Sequence, residues 1–347
     1  MKRHTGLDWV RALSMLAVVM IHASSTFALR ESRFALWRMT PSLFCNQATR
    51  FAVPLFFLLS GLSLGFRREK VTLPDFWLER LRRVGLPYLL WTLFYILWNF
   101  RSSAAAYTLG ELGKALLWGS ADSHLWFIAV LLQLYLLYPL LRLSMKHFEG
   151  LTVAFSLLLS LFCTLVIYVP LPLTGWWRPQ LWRLFPTWIF YFVLGMAITP
   201  ERLEKLTGFA ERRALPFLLL MLASALVYVW DAGGSGNLDS IKPQLFLYTP
   251  LVLVSLLGIW RRLEKLPAMQ KAVMFLSERS MSVYFSHVFF LGCLRRLPWL
   301  MANTLGMLLL FICTALLSLL LAWLLSLPGT WRRKREQQRP RRPLTMQ

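Results

Sequence analysis

Apolar residues in this chain run on in blocks rather than alternating with polar ones. The stretches near 9–29, 48–66, 84–100, 124–144, 151–170, 184–199, 215–231, 244–261, 279–293 and 303–327 carry almost no charge. A helix of about 20 residues crosses the roughly 30 Å hydrocarbon core of a bilayer. The pattern therefore predicts an all-α, polytopic membrane bundle of about ten transmembrane helices. Segments 184–199 and 279–293 are short and carry polar residues, which leaves counts of nine and eleven open. No internal repeat stands out, and the connections are too short for a soluble domain, so any chemistry belongs in or at the membrane. Loops 30–47, 101–123, 171–183 and 232–243 are expected on the outer side, large enough to shape a cleft. Pro54, Pro87, Pro139, Pro186 and Pro250 lie in or at the ends of spans, where kinking and packing account for them.

Composition agrees: 57% of the 347 residues are hydrophobic, with 16 Trp and 25 Phe, which excludes a water-soluble globule. The net charge of +22 raises the question of nucleic acid. The basic residues, however, sit in short loops between spans, where membrane topology and anionic headgroups explain them, so a lipid bilayer and no nucleic acid is the expected partner. With the N-terminus inside, 27 of the 38 Lys and Arg fall on the inner side. That asymmetry predicts a multi-pass protein of the cell (inner or plasma) membrane with both termini cytoplasmic. Residues 1–330 read as one integral-membrane domain and 331–347 as a basic cytoplasmic tail. The apolar stretch after Lys2 and Arg3 is long enough to span and shows no small-residue cleavage site, so it reads as a first span rather than a leader. Cys45, Cys163, Cys293 and Cys313 show no CxxC and no metal-ligand spacing, so neither a disulfide framework nor a metal is expected.

Ionisable residues at membrane depth are costly and therefore informative. All sixteen acids fall in loops or at span edges, which counts against an ion-coupled transporter that needs a midplane carboxylate. Histidine lies deep instead, as His22 in the first segment and His287 in the ninth. From Arg11 to His22 is eleven residues, a helical rise of about 16 Å and a rotation of roughly 1100°, which is about 20° past three full turns. The two side chains thus share a face, with Asp8 three residues before Arg11 and able to orient it. A neutral imidazole suits general-base work near pH 7, and a fixed guanidinium suits an anionic or carbonyl-bearing ligand. The plain alternatives are a histidine bonded to a neighbouring helix and an arginine anchoring the span at the interface.

The stretch Gly6-Leu-Asp-Trp-Val-Arg11-Ala-Leu followed by His22 resembles the Arg-x10-His signature of the integral-membrane acyltransferase 3 family. Val53-Pro-Leu-Phe-Phe-Leu-Leu-Ser60-Gly61 is similar to that family's PxFFxxSG stretch. The resemblance continues through the arginine-rich Phe76-Trp-Leu-Glu-Arg80-Leu-Arg82-Arg83-Val-Gly-Leu-Pro87, then His124-Leu-Trp126-Phe127, Tyr191-Phe-Val-Leu-Gly195, and Ser282-Val-Tyr284-Phe-Ser286-His287. All appear in the expected order, without the esterase-like domain that some members append.

The resemblance implies transfer of an acyl group, commonly acetyl, from cytoplasmic acetyl-CoA or another acyl-CoA to a hydroxyl on a cell-surface glycan or lipid-linked saccharide. No cofactor is bound; the acyl-CoA is the donor substrate. His22 is the expected general base or transient acyl carrier, and Arg11 the residue that binds and orients the donor. Arg80, Arg82 and Arg83 would receive the coenzyme A phosphates. Ser60, Trp126, Tyr284 and His287 are expected to line or support the site. The secondary motifs have plainer alternatives: helix packing at Ser60-Gly61, topology anchoring for the arginines, an aromatic belt for Trp126, and loop hydrogen bonding for His124 in the same motif. Two other functions stay open. A lipid or polyprenyl-glycan transporter would not bind coenzyme A, and a polyprenyl-dependent glycosyltransferase would want acids in the first outer loop, where residues 30–47 offer only Glu31.

Overall fold

The computed structural model describes residues 4–32, 40–66, 72–100, 108–169, 178–235 and 238–337. Every regular element among them is helical: α1 (Thr5–Ser32), α2 (Pro41–Ala48), α3 (Ala52–Gly65), α4 (Leu73–Arg80), α5 (Leu86–Phe100), α6 (Leu109–Trp118), α7 (Trp126–Tyr168), α8 (Ile189–Ala197), α9 (Pro200–Arg212), α10 (Ala214–Ser235), α11 (Leu245–Leu263), α12 (Pro267–Leu294) and α13 (Thr304–Gln337). A π-helical turn, Leu81–Gly85, joins α4 to α5, and 3-10 turns at Arg178–Arg183 and Phe185–Thr187 precede α8. The protein is an all-α, multi-pass membrane bundle.

Six helical stretches among the described residues are long and apolar enough to cross a bilayer. The remaining expected segments take other forms. Segment 184–199 is mostly 3-10 turn followed by the nine-residue α8, a helix only about 14 Å long. Segment 279–293 is the second half of α12, and 84–100 is the end of the π turn with α5. Segments 124–144 and 151–170 fall in α7, whose path breaks at Phe148 (φ −140°, ψ 50°). The Ser144 and Thr152 hydroxyls meet there at 2.6 Å, whereas eight residues of straight helix would separate them by about 12 Å.

Two expected loops also hold helices. Within 30–47 lies α2, opened by the Thr40 side chain accepting from the Leu43 N–H, with Pro41 in its first turn. Within 101–123 lies α6, opened by a reciprocal Thr108–Glu111 capping box and closed by Gly119 at φ 59°. Residues 33–39, 101–107, 170–177 and 338–347, which carry parts of the expected outer loops and of the tail, lie outside the described residues.

Lipid accounts for the surface. Leu136, Leu140, Leu143, Leu151, Phe155 and Leu158 line exposed faces of α7, a stripe that would be a liability in water and is the normal outer face of a membrane helix. Inside, α3 and α8 approach so closely that a Cβ on Gly61 would lie 1.9 Å from the Phe192 carbonyl oxygen, and one on Gly195 would lie 2.0 Å from that of Leu58. Small residues at such a crossing let two backbones touch. The α3–α8 pair forms one wall of the bundle; α1 and α12, packed side by side, form another.

Candidate functional site

The α1–α12 pairing fixes the site. Near the start of α1, Arg11 Nη1 donates to Asp8 Oδ1 and to Ser277 Oγ, both at 3.3 Å, and Ser277 Oγ donates to Asp8 Oδ1 at 2.6 Å. Further along the same two helices, the rings of His22 and His287 lie 5.1 Å apart. Arginine and histidine of α1 thus both face α12, as their spacing predicts.

A cavity of about 270 Å³ opens beside Arg11. Arg80 and Arg83 line it as well, each paired with Glu79 Oε1, at 3.1 and 3.2 Å. The Arg80 guanidinium also lies over the Phe76 and Tyr135 rings at 5.6 and 5.5 Å, contacts that hold a partly dehydrated cation in place. Ser60, Ser63 and Tyr135 add polar groups, and Phe127 and Tyr284 close the far side. Ser60 Oγ donates to the Phe56 carbonyl at 2.8 Å. The Ser60-Gly61 pair therefore does two jobs: the serine faces the cavity and the glycine meets α8.

Beyond Tyr284 three imidazoles meet. The His124 ring lies 5.1 Å from that of His287 and 6.4 Å from that of His22, and the Tyr284 ring lies 5.4 Å from His124 and 5.9 Å from His287. The Tyr284 hydroxyl donates to the His124 carbonyl, tying α12 to the loop ahead of α7. His287 Nδ1 faces the carbonyls of Tyr284 at 2.6 Å and Val283 at 3.2 Å. Carbonyls only accept, so Nδ1 carries the proton and Nε2 presents a lone pair. Tyr95 props the helix beside it. Its hydroxyl donates to the Phe285 carbonyl at 2.7 Å and accepts from the Phe289 N–H at 3.1 Å, two groups that would pair directly in a regular helix.

His287 and His124 are fully enclosed, yet His287 Nε2 and both ring nitrogens of His124 lack a hydrogen-bond partner among the described residues. Buried polar atoms rarely stay unanswered, and such atoms behind the Tyr284 wall of the cavity point to a substrate or water. Asp122 Oδ1 stands 3.6 Å from His124 Nδ1, too far for a hydrogen bond and close enough for an ion pair. Burial alone would raise the Asp122 carboxyl; the His124 ring and the Ser123 hydrogen bonds prevail and hold it below the ordinary value. No group of three or more His, Cys, Asp or Glu among the described residues is arranged to hold a metal ion.

Two of the expected site residues stand elsewhere. Arg82 is exposed and does not line the cavity; two residues on from Arg80, within the π-helical turn, it projects toward another side of the helix. Trp126 packs edge-to-face on Trp182 at 4.9 Å and tilted against Trp188 at 5.3 Å, in an aromatic wall next to Phe127. Conversely, His124, Asp122, Tyr135 and Tyr95 join the site without having been singled out for it. His124 stood within a recognisable motif, but sequence offered no way to choose a core position over a loop hydrogen bond.

Fold and site together define a membrane-embedded helical bundle with an arginine-lined cavity, one of whose walls, Tyr284, packs against a cluster of histidines. A family model described as an acyltransferase domain matches residues 4–327, and the chain belongs to this integral-membrane acyltransferase 3 family. It is 26% identical over 200 residues to YfiQ of Bacillus subtilis (strain 168), a protein named as a candidate membrane-bound acyltransferase. That match takes in 55% of this chain and 54% of the relative, so the chain spans about half the length of the curated relative it matches. No solved structure matches.

Proposed function

We propose that this membrane acyltransferase moves an acetyl group from cytoplasmic acetyl-CoA to a hydroxyl of a surface or lipid-linked saccharide on the opposite side of the cell membrane. Both termini then lie in the cytoplasm, with the arginine end of the cavity facing the donor. One observation supports this above the others: Arg11, Arg80 and Arg83 converge on one cavity whose far wall, Tyr284, touches a histidine cluster. Guanidiniums match phosphate oxygens in charge and geometry. The apolar stretch past Phe127 suits the neutral arm of a coenzyme, and the imidazoles suit the proton transfer that ester formation requires.

In this reading Arg11, Arg80 and Arg83 bind the phosphates and set how deep the thioester reaches. His22 takes the proton of the acceptor hydroxyl as its oxygen bonds to the acyl carbon and the carbon–sulfur bond breaks. His287, with its tautomer fixed by two carbonyls, keeps an acceptor nitrogen beside His22. Ser60 and Tyr135 shape the channel between the two ends. The test is transfer of label from acetyl-CoA into the surface polysaccharide fraction by membranes holding the native protein. Label in that fraction supports the reading; a folded protein that neither transfers label nor binds coenzyme A refutes it.

A further inference from the structure

General-base catalysis leaves a proton behind on the half-buried His22, whose neighbours His124 and His287 are walled by Tyr95 and Tyr284, and that proton needs somewhere to go. A positive charge left on His22 would have a cation for a neighbour. Arg295 holds its guanidinium at the end of α12, donating to the His22 carbonyl at 2.6 Å and to Ser25 Oγ at 3.3 Å. His287 is no better placed, because its Nδ1 is committed to the carbonyls of Val283 and Tyr284 and, among the described residues, no carboxylate lies within ion-pair distance of it. His124 differs from both. Among the described residues neither of its ring nitrogens has a hydrogen-bond partner, and a carboxylate stands 3.6 Å from one of them.

Asp122 is suited to that task. It sits in the turn between α6 and α7, with its side chain 15% exposed at the rim of the bundle while that of His124 is only 1% exposed. Its Oδ1 accepts from the Ser123 N–H at 2.5 Å and from the Ser123 hydroxyl at 3.0 Å, which fixes the carboxylate against the imidazole. From His22 the steps to the surface are short. Ring centroids lie 6.4 Å apart directly to His124, or 5.1 Å and 5.1 Å by way of His287, and the last step to Asp122 is 3.6 Å. A ring reorientation or a single bridging water covers each interval.

We propose that His124 and Asp122 form the proton exit of this site, carrying to the aqueous rim the proton that His22 takes from the acceptor hydroxyl. The proposal rests on the acyl-transfer reading above and extends it. The balance is simple. The hydroxyl O–H bond breaks and its proton moves to His22; the oxygen–acyl bond forms; the carbon–sulfur bond breaks and coenzyme A leaves as a thiolate. The thiolate leaves with coenzyme A toward the arginine end and takes a proton from water there, and His22 returns its own through His124 to water beside Asp122. One proton is taken up and one is released. His124 and Asp122 act through His22 and are positioning and relay residues.

The experiment compares native protein, Asp122→Asn and His124→Ala in labelled acetyl transfer to the surface polysaccharide fraction, with acetyl-CoA varied and with or without added imidazole. The expected result is a kcat lowered about 10²-fold in His124→Ala, in the range general acid–base groups supply. Asp122→Asn should lose about tenfold, and KM for acetyl-CoA should stay within about twofold in both, because neither residue lines the donor cavity. Imidazole should restore part of the rate to His124→Ala and none to Asp122→Asn. A residue with a merely structural role would not respond in that way. Unchanged kcat in Asp122→Asn, or a slow His124→Ala that imidazole does not rescue, would overturn the relay and leave the acyl-transfer reading standing. If His124→Ala no longer binds acetyl-CoA, the isosteric Asp122→Asn decides alone. Native protein that transfers no label would remove the acyl-transfer reading and the relay with it.

Discussion

At one end of the α1–α12 interface the guanidiniums of Arg11, Arg80 and Arg83 have partners, in Asp8, Ser277 and Glu79, and open onto a cavity. Eleven residues further along α1, His22 meets His124 and His287, where three ring nitrogens of the latter two have no hydrogen-bond partner among the described residues and Asp122 is the carboxylate beside His124. The difference separates two tasks. Charges neutralised by their own neighbours can exchange those neighbours for a ligand's phosphates, which is binding. In the proposed reading, enclosed imidazoles with ring nitrogens that lack partners among the described residues are held ready for a proton, which is chemistry. One bundle keeps the two apart by a few turns of helix, a separation that the long donor of the proposed reading would bridge.

Substitutions at the two ends should therefore fail differently. His22→Ala is expected to have the largest effect, lowering transfer by about 10²- to 10⁴-fold with donor binding nearly unchanged; initial rates and equilibrium binding of acetyl-CoA on the same preparation check it. Arg80→Ala should reverse the pattern, raising KM for acetyl-CoA by about 10- to 100-fold, as loss of a charge-assisted phosphate contact does, with kcat changing less. A larger fall in kcat than rise in KM would merge the two ends into one function.

Gly61→Ala tests the wall that keeps the ends in register. Its methyl would enter the Phe192 carbonyl, and a loss of about 1–3 kcal/mol, read as a lower unfolding temperature in detergent, is expected. Tyr284→Phe removes the hydroxyl that ties α12 to the His124 carbonyl. A buried acceptor then lacks its donor, and roughly 1–3 kcal/mol of stability is at stake, with a modest fall in kcat. Arg82→Ala should do least, because that side chain points away from the cavity; a KM change as large as that of Arg80→Ala would return Arg82 to the donor site.

Much of this was legible in the chain, and the remainder was hidden for physical reasons. Uninterrupted apolar runs are enough to specify an all-helical membrane bundle, and helical rotation alone puts Arg11 and His22 on one face. A window of about 20 residues, however, passes over helices of eight and ten. The signals for α2 and α6 were present as Thr40-Pro41 and the Thr108–Glu111 box, but at a length where hydropathy does not register. The nine-residue α8 has the opposite history: its apolarity predicts a full span, whereas glycine-mediated contact with α3 lets a short helix suffice. His124 reaches the site only through packing, because nothing local to residues 119–125 says that α12 and α1 close over them. Arg80, Arg82 and Arg83 look alike in sequence, and the turn of the helix sorts them.

The most direct measurement is label transfer from acetyl-CoA into the surface polysaccharide fraction by native membranes and by membranes holding His22→Ala, with acetyl-CoA binding recorded on both. Transfer by the native protein, lost in the variant while binding persists, is the expected result. A variant that binds acetyl-CoA and transfers as fast as the native protein would show that the chemistry does not run through the histidine end.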